Sequence, residues 1–307
     1  ASWDIHEPDK DGQSRDRSYN FIKQMAAVYS PQSYVKDIVI EIFFTDLDKA
    51  YQLMLGSERC IVKADGFVPY TTRIETSFEL WLQISEGKVN GAEAMLKKQC
   101  KVLGDFDTML KMDDYFGTAT PALKNQNGPQ KTNMNIFLFQ WIILWVLLPI
   151  STVWSGVAGI AACSSVSLLN FKYRLTFYDK ISGILVSMLS VMALLSFSRT
   201  LIICLSYLLF GLLWLLSCLS RIPLSAHYSS AGYGGDAAFD NPLFIKTNRI
   251  LTFAWGGLYL ITAINSYFLM NSPISQYTGL INSVVPALMG MFTVWFAKWY
   301  PAKVARG

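Results

Sequence analysis

Two histidines, His6 and His227, are the only imidazoles in the 307-residue sequence, so acid–base chemistry has few places to reside. His227 sits in AHYSSAGYGGDAAFDNPLF with Asp236 and Asp240. One imidazole and two carboxylates are donor types that a divalent cation accepts. The Gly, Ser and Ala around them read instead as a solvated loop. Gly232, Gly234 and Gly235 neither follow a strand nor open a helix, which argues against a phosphate-cradling loop. Asp105, Asp107, Asp113 and Asp114 cluster together, and the first two suit the N-terminus of a helix. The five cysteines (Cys60, Cys100, Cys163, Cys204, Cys218) form no close pair and lie near no histidine. Neither a Ser-His-Asp nor a Cys-His arrangement is present. No catalytic residue, metal or cofactor is assigned; whether the chain is an enzyme stays open, with the balance against it.

The elements that would carry any site fall into two classes. Asn135 to Phe171 contains no Asp, Glu, Lys, Arg or His, and neither does Ile250 to Ala297. Each run is long enough for a membrane hairpin at about 20 residues per span. About six spans are expected: Ile136 to Ile150, Val153 to Leu169, Ile181 to Phe197, Leu201 to Ser220, Ile250 to Met270 and Tyr277 to Ala297. Pro149 and Ser151 mark the first bend, and Asn271, Ser272 and Pro273 the last. Trp141, Trp154, Trp295, Trp299 and Tyr300 fit an interfacial belt.

Basic residues alternate sharply between connections. Lys124 and Lys131 precede the first span; Lys172, Arg174 and Lys180 separate the second and third; Arg221, Lys246 and Arg249 separate the fourth and fifth. Lys298, Lys303 and Arg306 follow the last, whereas the other connections hold only Arg199. The positive-inside rule then makes this a multi-pass protein of the cell membrane with both termini cytoplasmic. The net charge of +4 belongs to these connections, and no basic patch with interleaved aromatics suggests nucleic acid. Cys60 and Cys100 fit a reducing compartment. No basic stretch followed by an apolar core opens the sequence, so no cleavable signal peptide is expected. A start at Ala1 is compatible with a fragment of a longer chain.

The first part of the chain is written for water. Residues 1–30 read as a polar tail followed by a short helix over Ser18 to Tyr29, which Pro31 ends. Residues 31–117 form a domain, 118–134 a linker, 135–300 the membrane bundle and 301–307 a tail. Within the domain, Ile38, Ile40, Ile42 and Phe44 alternate, as do Tyr51, Leu53 and Leu55; Arg59 to Lys63 and Thr71 to Glu75 follow as strands. Thr76 or Ser77 caps a helix with Phe78, Trp81, Leu82 and Ser85 on one stripe, stopped at Gly87. A short helix over Ala92 to Leu96, a strand over Cys100 to Leu103, a Gly104-Asp105 turn and a helix over Phe106 to Met112 complete it.

That order resembles the C-terminal half of the sterol-carrier-protein type-2 family. The run TTRIETSFELWLQISEGKVNGAEAMLKKQCKVLGDFDTMLKM carries the likeness. Trp81, Gly87, Lys88, Gly104 and Asp105 stand where the family pattern has an aromatic, Gly-Lys and Gly-Asp. The resemblance covers about residues 34–116. Lys98-Gln99 depart from the Gly-Lys that the family often has before its last strand. The fold class implied is an α+β sterol-carrier-like domain, with a sheet of about five strands packed by helices, followed by an all-α transmembrane bundle.

In that family the sheet and helices enclose an apolar tunnel for a lipid-like hydrophobic ligand. The resemblance implies a lining of Ile42, Phe44, Leu53, Leu55, Ile74, Phe78, Trp81, Leu82, Met95, Val102, Met109 and Met112. The same residues would serve as ordinary core in a domain of this size. Lys97, Lys98, Lys101 and Lys111 could draw the domain to anionic lipid. The expected function is membrane-anchored binding, and transfer, of a lipid or other hydrophobic ligand. The alternative is a transporter or membrane-enzyme component that uses the domain as a sensor or docking module. Gln140, Asn265, Ser266 and Asn282 are then the polar groups of interest in the spans. The sequence leaves the oligomeric state open.

Overall fold

Apolar residues at every second position make Ile38–Phe44 the central strand, β1. In the computed structural model, which describes residues 17–117, 132–148, 150–168, 173–233 and 235–307, β1 is followed by β2 (Lys49–Leu55), β3 (Cys60–Lys63), β4 (Thr72–Thr76) and β5 (Lys101–Gly104). They form a five-stranded sheet of order β3-β2-β1-β4-β5. β1 and β4 run parallel and the other neighbours antiparallel, so the sheet is mixed. The polar tail with His6, the Pro149 bend, Lys172 and most of the linker, including Lys124 and Lys131, lie outside the described residues.

Register sorts the side chains. Ile40 pairs with Leu53, Ile42 with Tyr51, Ile42 with Ile74, and Ile74 with Val102, which puts all of them on one face. Helix α1 (Arg17–Ala27) lays Phe21, Ile22 and Met25 into this core. Helix α2 (Phe78–Ser85) adds Phe78, Trp81 and Leu82. Ser77 caps α2 by accepting from the Leu80 N–H, and the Asp46 carboxylate accepts from the Phe78 N–H at 2.8 Å. The β1–β2 turn therefore holds the start of α2, two pieces of chain over thirty residues apart.

Helix α3 (Gly91–Leu96) is capped by Asn90 and ends at Lys98, whose φ is +59°. A lysine here occupies the left-handed region at a cost. The helix expected over Phe106 to Met112 is instead two helices, α4 (Phe106–Leu110) and α5 (Met112–Phe116), broken at Lys111. Asp105 accepts from the Asp107 N–H and from the Thr108 hydroxyl, so α4 has the N-cap that its sequence promised.

The second half is helical: α6 (Met134–Leu147), α7 (Thr152–Leu168), α8 (Phe177–Leu194), α9 (Arg199–Ser217), the short α10 (Leu224–Ser229), α11 (Pro242–Met270) and α12 (Thr278–Ala305). Among the described residues, four helices are long and apolar enough to cross a membrane, ending at Leu194, Ser217, Met270 and Ala305. The first two of the six spans expected correspond to α6 and α7, apolar helices with 14 and 17 described residues, shorter than the ~20 that a bilayer core needs. α11 begins eight residues before Ile250. Asn241 caps it and Pro242 occupies its first turn, a start signal that the charges of Lys246 and Arg249 concealed. α12 likewise runs on through Pro301, so residues 301–305 are helix rather than tail.

Small residues draw the helices together. A Cβ built on Gly156 of α7 would stand 2.7 Å from the Ser190 carbonyl oxygen of α8. One built on Gly211 of α9 would stand 3.0 Å from the Gly256 carbonyl of α11. These are the close backbone approaches that membrane helices use. Trp141, Trp145, Tyr207, Phe210, Trp214 and Tyr259 fill the bundle core, with Trp145 stacked on Tyr207 at 4.6 Å. The chain divides into two compact units, Ala1–Leu123 with Trp299–Gly307, and Lys124–Lys298.

Candidate functional site

Ten of the twelve residues proposed to line an apolar cavity are buried together in the α+β unit: Ile42, Phe44, Leu53, Leu55, Ile74, Phe78, Trp81, Leu82, Met95 and Val102. The remaining two, Met109 and Met112, are partly exposed. The break at Lys111 puts them in different helices, with Leu110 more than half exposed between them. Phe44 and Phe78 meet edge to face at 5.0 Å, and Phe21 of α1 meets Phe78 at 6.2 Å. Phe21, Ile22 and Met25 thus belong to the same apolar cluster, although the sequence reading assigned them to a separate short helix. Their spacing on one side of α1 was the signal.

One polar atom inside this cluster stands out. The indole N–H of Trp81 is buried with no hydrogen-bond partner among the described residues. A buried tryptophan N–H normally finds an acceptor, and an unmade bond costs about 1–3 kcal/mol. Elsewhere in the unit such groups are paired. On the opposite face of the sheet, Gln52 donates to Glu41 at 2.7 Å and to the Val68 carbonyl at 2.7 Å, and its oxygen accepts from the Val68 N–H. Arg73 donates to Glu41 and to Glu75 and lies over the Phe43 ring. The Ser18 and Tyr51 hydroxyls bond each other at 2.8 Å. Burial pushes the Cys60 thiol up to about 12 and the Cys100 thiol up to about 11, so neither is poised as a nucleophile.

A polar cluster that the sequence reading missed joins the start of α8 to α10. Asp179, in the first turn of α8, is buried. It accepts from the Thr176 N–H and hydroxyl through one oxygen and from the Tyr228 hydroxyl at 2.8 Å through the other. Thr176-x-x-Asp179 is a capping-box spacing, so the signal was legible. Burial and the Asp179 charge push the Tyr228 phenol up. The His227 ring lies between Tyr178 and Phe239. Burial lowers its pKa first and the Arg174 charge second, against Asp179 and Asp236.

The metal arrangement considered for His227, Asp236 and Asp240 is not assembled. Asp236 pairs with Arg174 at 2.8 Å, and Asp240 lies 3.8 Å from Arg221. Among the described residues no three His, Cys, Asp or Glu side chains converge. Of the polar residues singled out in the spans, Gln140 is buried and accepts from the Cys163 thiol, Ser266 and Asn282 bond each other, and Asn265 is exposed.

No protein-family model matches the chain, and no curated protein matches it. Among solved structures it is similar to a double mutant of the sec-alkyl sulfatase PisA1, at 17% identity and a TM-score of 0.31. It is similar also to the stereoselective inverting sec-alkylsulfatase Pisa1 from Pseudomonas sp., at 17% identity and a TM-score of 0.30. Each match covers 33% of this chain and spans only 16% of the sulfatase chain. At such TM-scores the likeness carries no argument about fold or activity.

Proposed function

We propose that the α+β unit binds a hydrophobic, lipid-like ligand and that the helical half anchors it to the cell membrane. In this reading the termini are cytoplasmic, as the alternating basic connections require. The unit takes the ligand from the bilayer, or presents it to the bilayer, in the manner of the sterol-carrier type-2 proteins that its sequence resembles. Binding is by partition, at about 25 cal/mol per Å² of apolar surface removed from water, and no covalent step is needed.

The observation that carries the reading is the unpaired Trp81 N–H inside an otherwise apolar cluster. A ligand with an apolar body and an oxygen acceptor at its head satisfies both features at once. The partly exposed Met109 and Met112 offer an adaptable rim through which such a ligand can enter.

Photolysis of a diazirine-bearing fatty acid with the detergent-solubilised full chain, followed by peptide mass spectrometry, tests this. Labelling is expected on β1, β2 and α2, and Trp81→Phe should weaken competition by unlabelled fatty acid about tenfold, one hydrogen bond's worth. Labelling confined to residues 134–298 would overturn the reading.

A further inference from the structure

Three cations gather where α9 ends and α11 begins, with little to balance them. Lys246 and Arg249 stand one turn apart on α11, and both are exposed. Arg249 Nη2 donates to the Ser220 and Arg221 carbonyls at 3.1 and 3.2 Å. It thereby closes the C-terminal end of α9, where carbonyls lack helical partners. Its Nε–H and Nη1–H groups have no partner among the described residues. The Arg221 guanidinium is exposed and lies 3.8 Å from Asp240, beyond hydrogen-bond length. Neither Lys246 nor Arg249 pairs with a carboxylate among the described residues. Asp236, the other acid of the connection, is engaged by Arg174.

An apolar face starts from these cations on each helix. On α11, Phe253, Gly257 and Ile261 follow Arg249 at steps of four, so they continue its face. Phe253 is 64% exposed, and Ile261 is exposed as well. A Cβ on Gly257 would meet nothing within 4 Å, so nothing fills the face at the step between them. From Arg249 to Ile261 is about 18 Å of helix, enough to cross the ~15 Å of one hydrocarbon leaflet. At the end of α9, Leu216 is exposed and Leu219 is 84% exposed. The Cys218 thiol lies 3.8 Å from the Arg249 carbonyl, so the two helix ends adjoin.

We propose that this junction binds the headgroup of an acidic phospholipid, whose acyl chains lie on the exposed faces of α11 and α9. The phosphate accepts from the open Nε–H and Nη1–H of Arg249, a planar fork suited to it, and Lys246 adds a second charge one turn away. Arg249 is already held by its two carbonyl bonds, so ordering it on binding costs little. An acidic peptide or a nucleic acid would satisfy the cations and leave Phe253 and Leu219 facing water; an amphiphile covers both. A choline lipid offers the same phosphate, but its ammonium meets three cations and, in Asp240, one carboxylate. The positive-inside rule puts this end of the helices at the cytoplasmic leaflet, where acidic lipids reside. The site rests on the reading of the helical unit as membrane-embedded and is independent of the ligand proposed for the α+β unit.

Native mass spectrometry of the full chain in a neutral detergent decides it, with dioleoylphosphatidylglycerol and dioleoylphosphatidylcholine in competition. The phosphatidylglycerol should bind about tenfold more tightly. Lys246→Gln changes an exposed side chain, should leave folding intact and should cut that preference about fivefold. Arg249→Gln should cut it further. Lys180→Gln, at an exposed cation in the first turn of α8, should leave it unchanged, which separates one site from general charge. Equal binding of the two lipids by the unaltered chain overturns the proposal and requires no variant to fold. A preference that survives Lys246→Gln, or that falls as much with Lys180→Gln, overturns it too. Displacement by excess glycerol 3-phosphate would mean that a headgroup suffices and would overturn the lipid assignment. Whether the chain leaves a membrane pellet only with detergent reports the membrane reading separately, so the two failures are distinguishable.

Discussion

The α+β unit and the helical unit bury polar side chains by opposite means. In the first, Glu41, Gln52, Arg73 and Glu75 reach across three strands and bond one another. In the second, hydroxyls turn back on their own helix. Thr247 donates to Leu243, Thr252 to Asn248, Thr262 to Leu258 and Ser266 to Thr262, each one turn earlier. A charged network survives beside water because Arg73 keeps part of its surface hydrated. Within hydrocarbon the nearest carbonyl is the one certain acceptor. Other polar groups of the helical unit pair one to one between helices, as Trp141 with Ser182, Trp145 with Ser206 and Trp255 with Thr293, and glycine approaches and stacked rings add to its cohesion.

The sharpest way to break that contrast is at the glycines. Gly156→Leu should cost the helical unit 3 kcal/mol or more (~3, the upper range for overpacking), because the Ser190 carbonyl is backbone and cannot step aside. Gly290→Leu, with open space around it, should leave stability unchanged. Thermal unfolding of both variants in one detergent compares them, and equal losses would remove close helix approach as the source of cohesion.

In the α+β unit the corresponding weak point is the ion network. Arg73→Met leaves Glu41 buried without its cation and should cost about 3 kcal/mol. Urea unfolding followed by far-ultraviolet dichroism measures it. A smaller change of opposite sign is expected at the end of α3. Lys98→Gly relieves a left-handed lysine and should stabilise the unit by about 1 kcal/mol.

The smallest effect concerns pH. The folded-state pKa of His227 is lowered, chiefly by burial, so folding favours the neutral ring. The stability tied to it is intact above about 6.5, the unfolded value, and is lost as pH falls through the folded value. The melting temperature of the full chain should therefore drop between pH 7.5 and 5, and His227→Phe should flatten that slope. An unchanged slope would mean that other groups set the acid limit.

Much of the α+β unit was legible because its two periods are plain. Ile38, Ile40, Ile42 and Phe44 alternate, and Phe78, Trp81 and Leu82 follow a helical stripe, so strands and helix were placed within a residue or two. The break at Lys111 was not legible, because one more helical turn satisfies the same pattern. In the helical half composition alone marked the long apolar helices, but lengths were misjudged wherever charge lay inside a helix, as at Lys246 and Arg249 in α11. The Asp179–Tyr228 bond joins positions 49 residues apart, and no local pattern announces such a pairing.

Residue order by itself determined that one half of this chain suits water and the other lipid, because transfer free energies are properties of side chains and simply add along a segment. It determined local elements for the same reason: periodicity and caps act over four residues or fewer. Only the folded arrangement decided which polar atoms find partners. Trp81 Nε1 and Asn282 Oδ1 go without among the described residues, while Glu41 and Asp179 are fully engaged. Hydrogen bonding depends on distance and direction between chemically ordinary groups, and those are fixed by packing rather than by residue type.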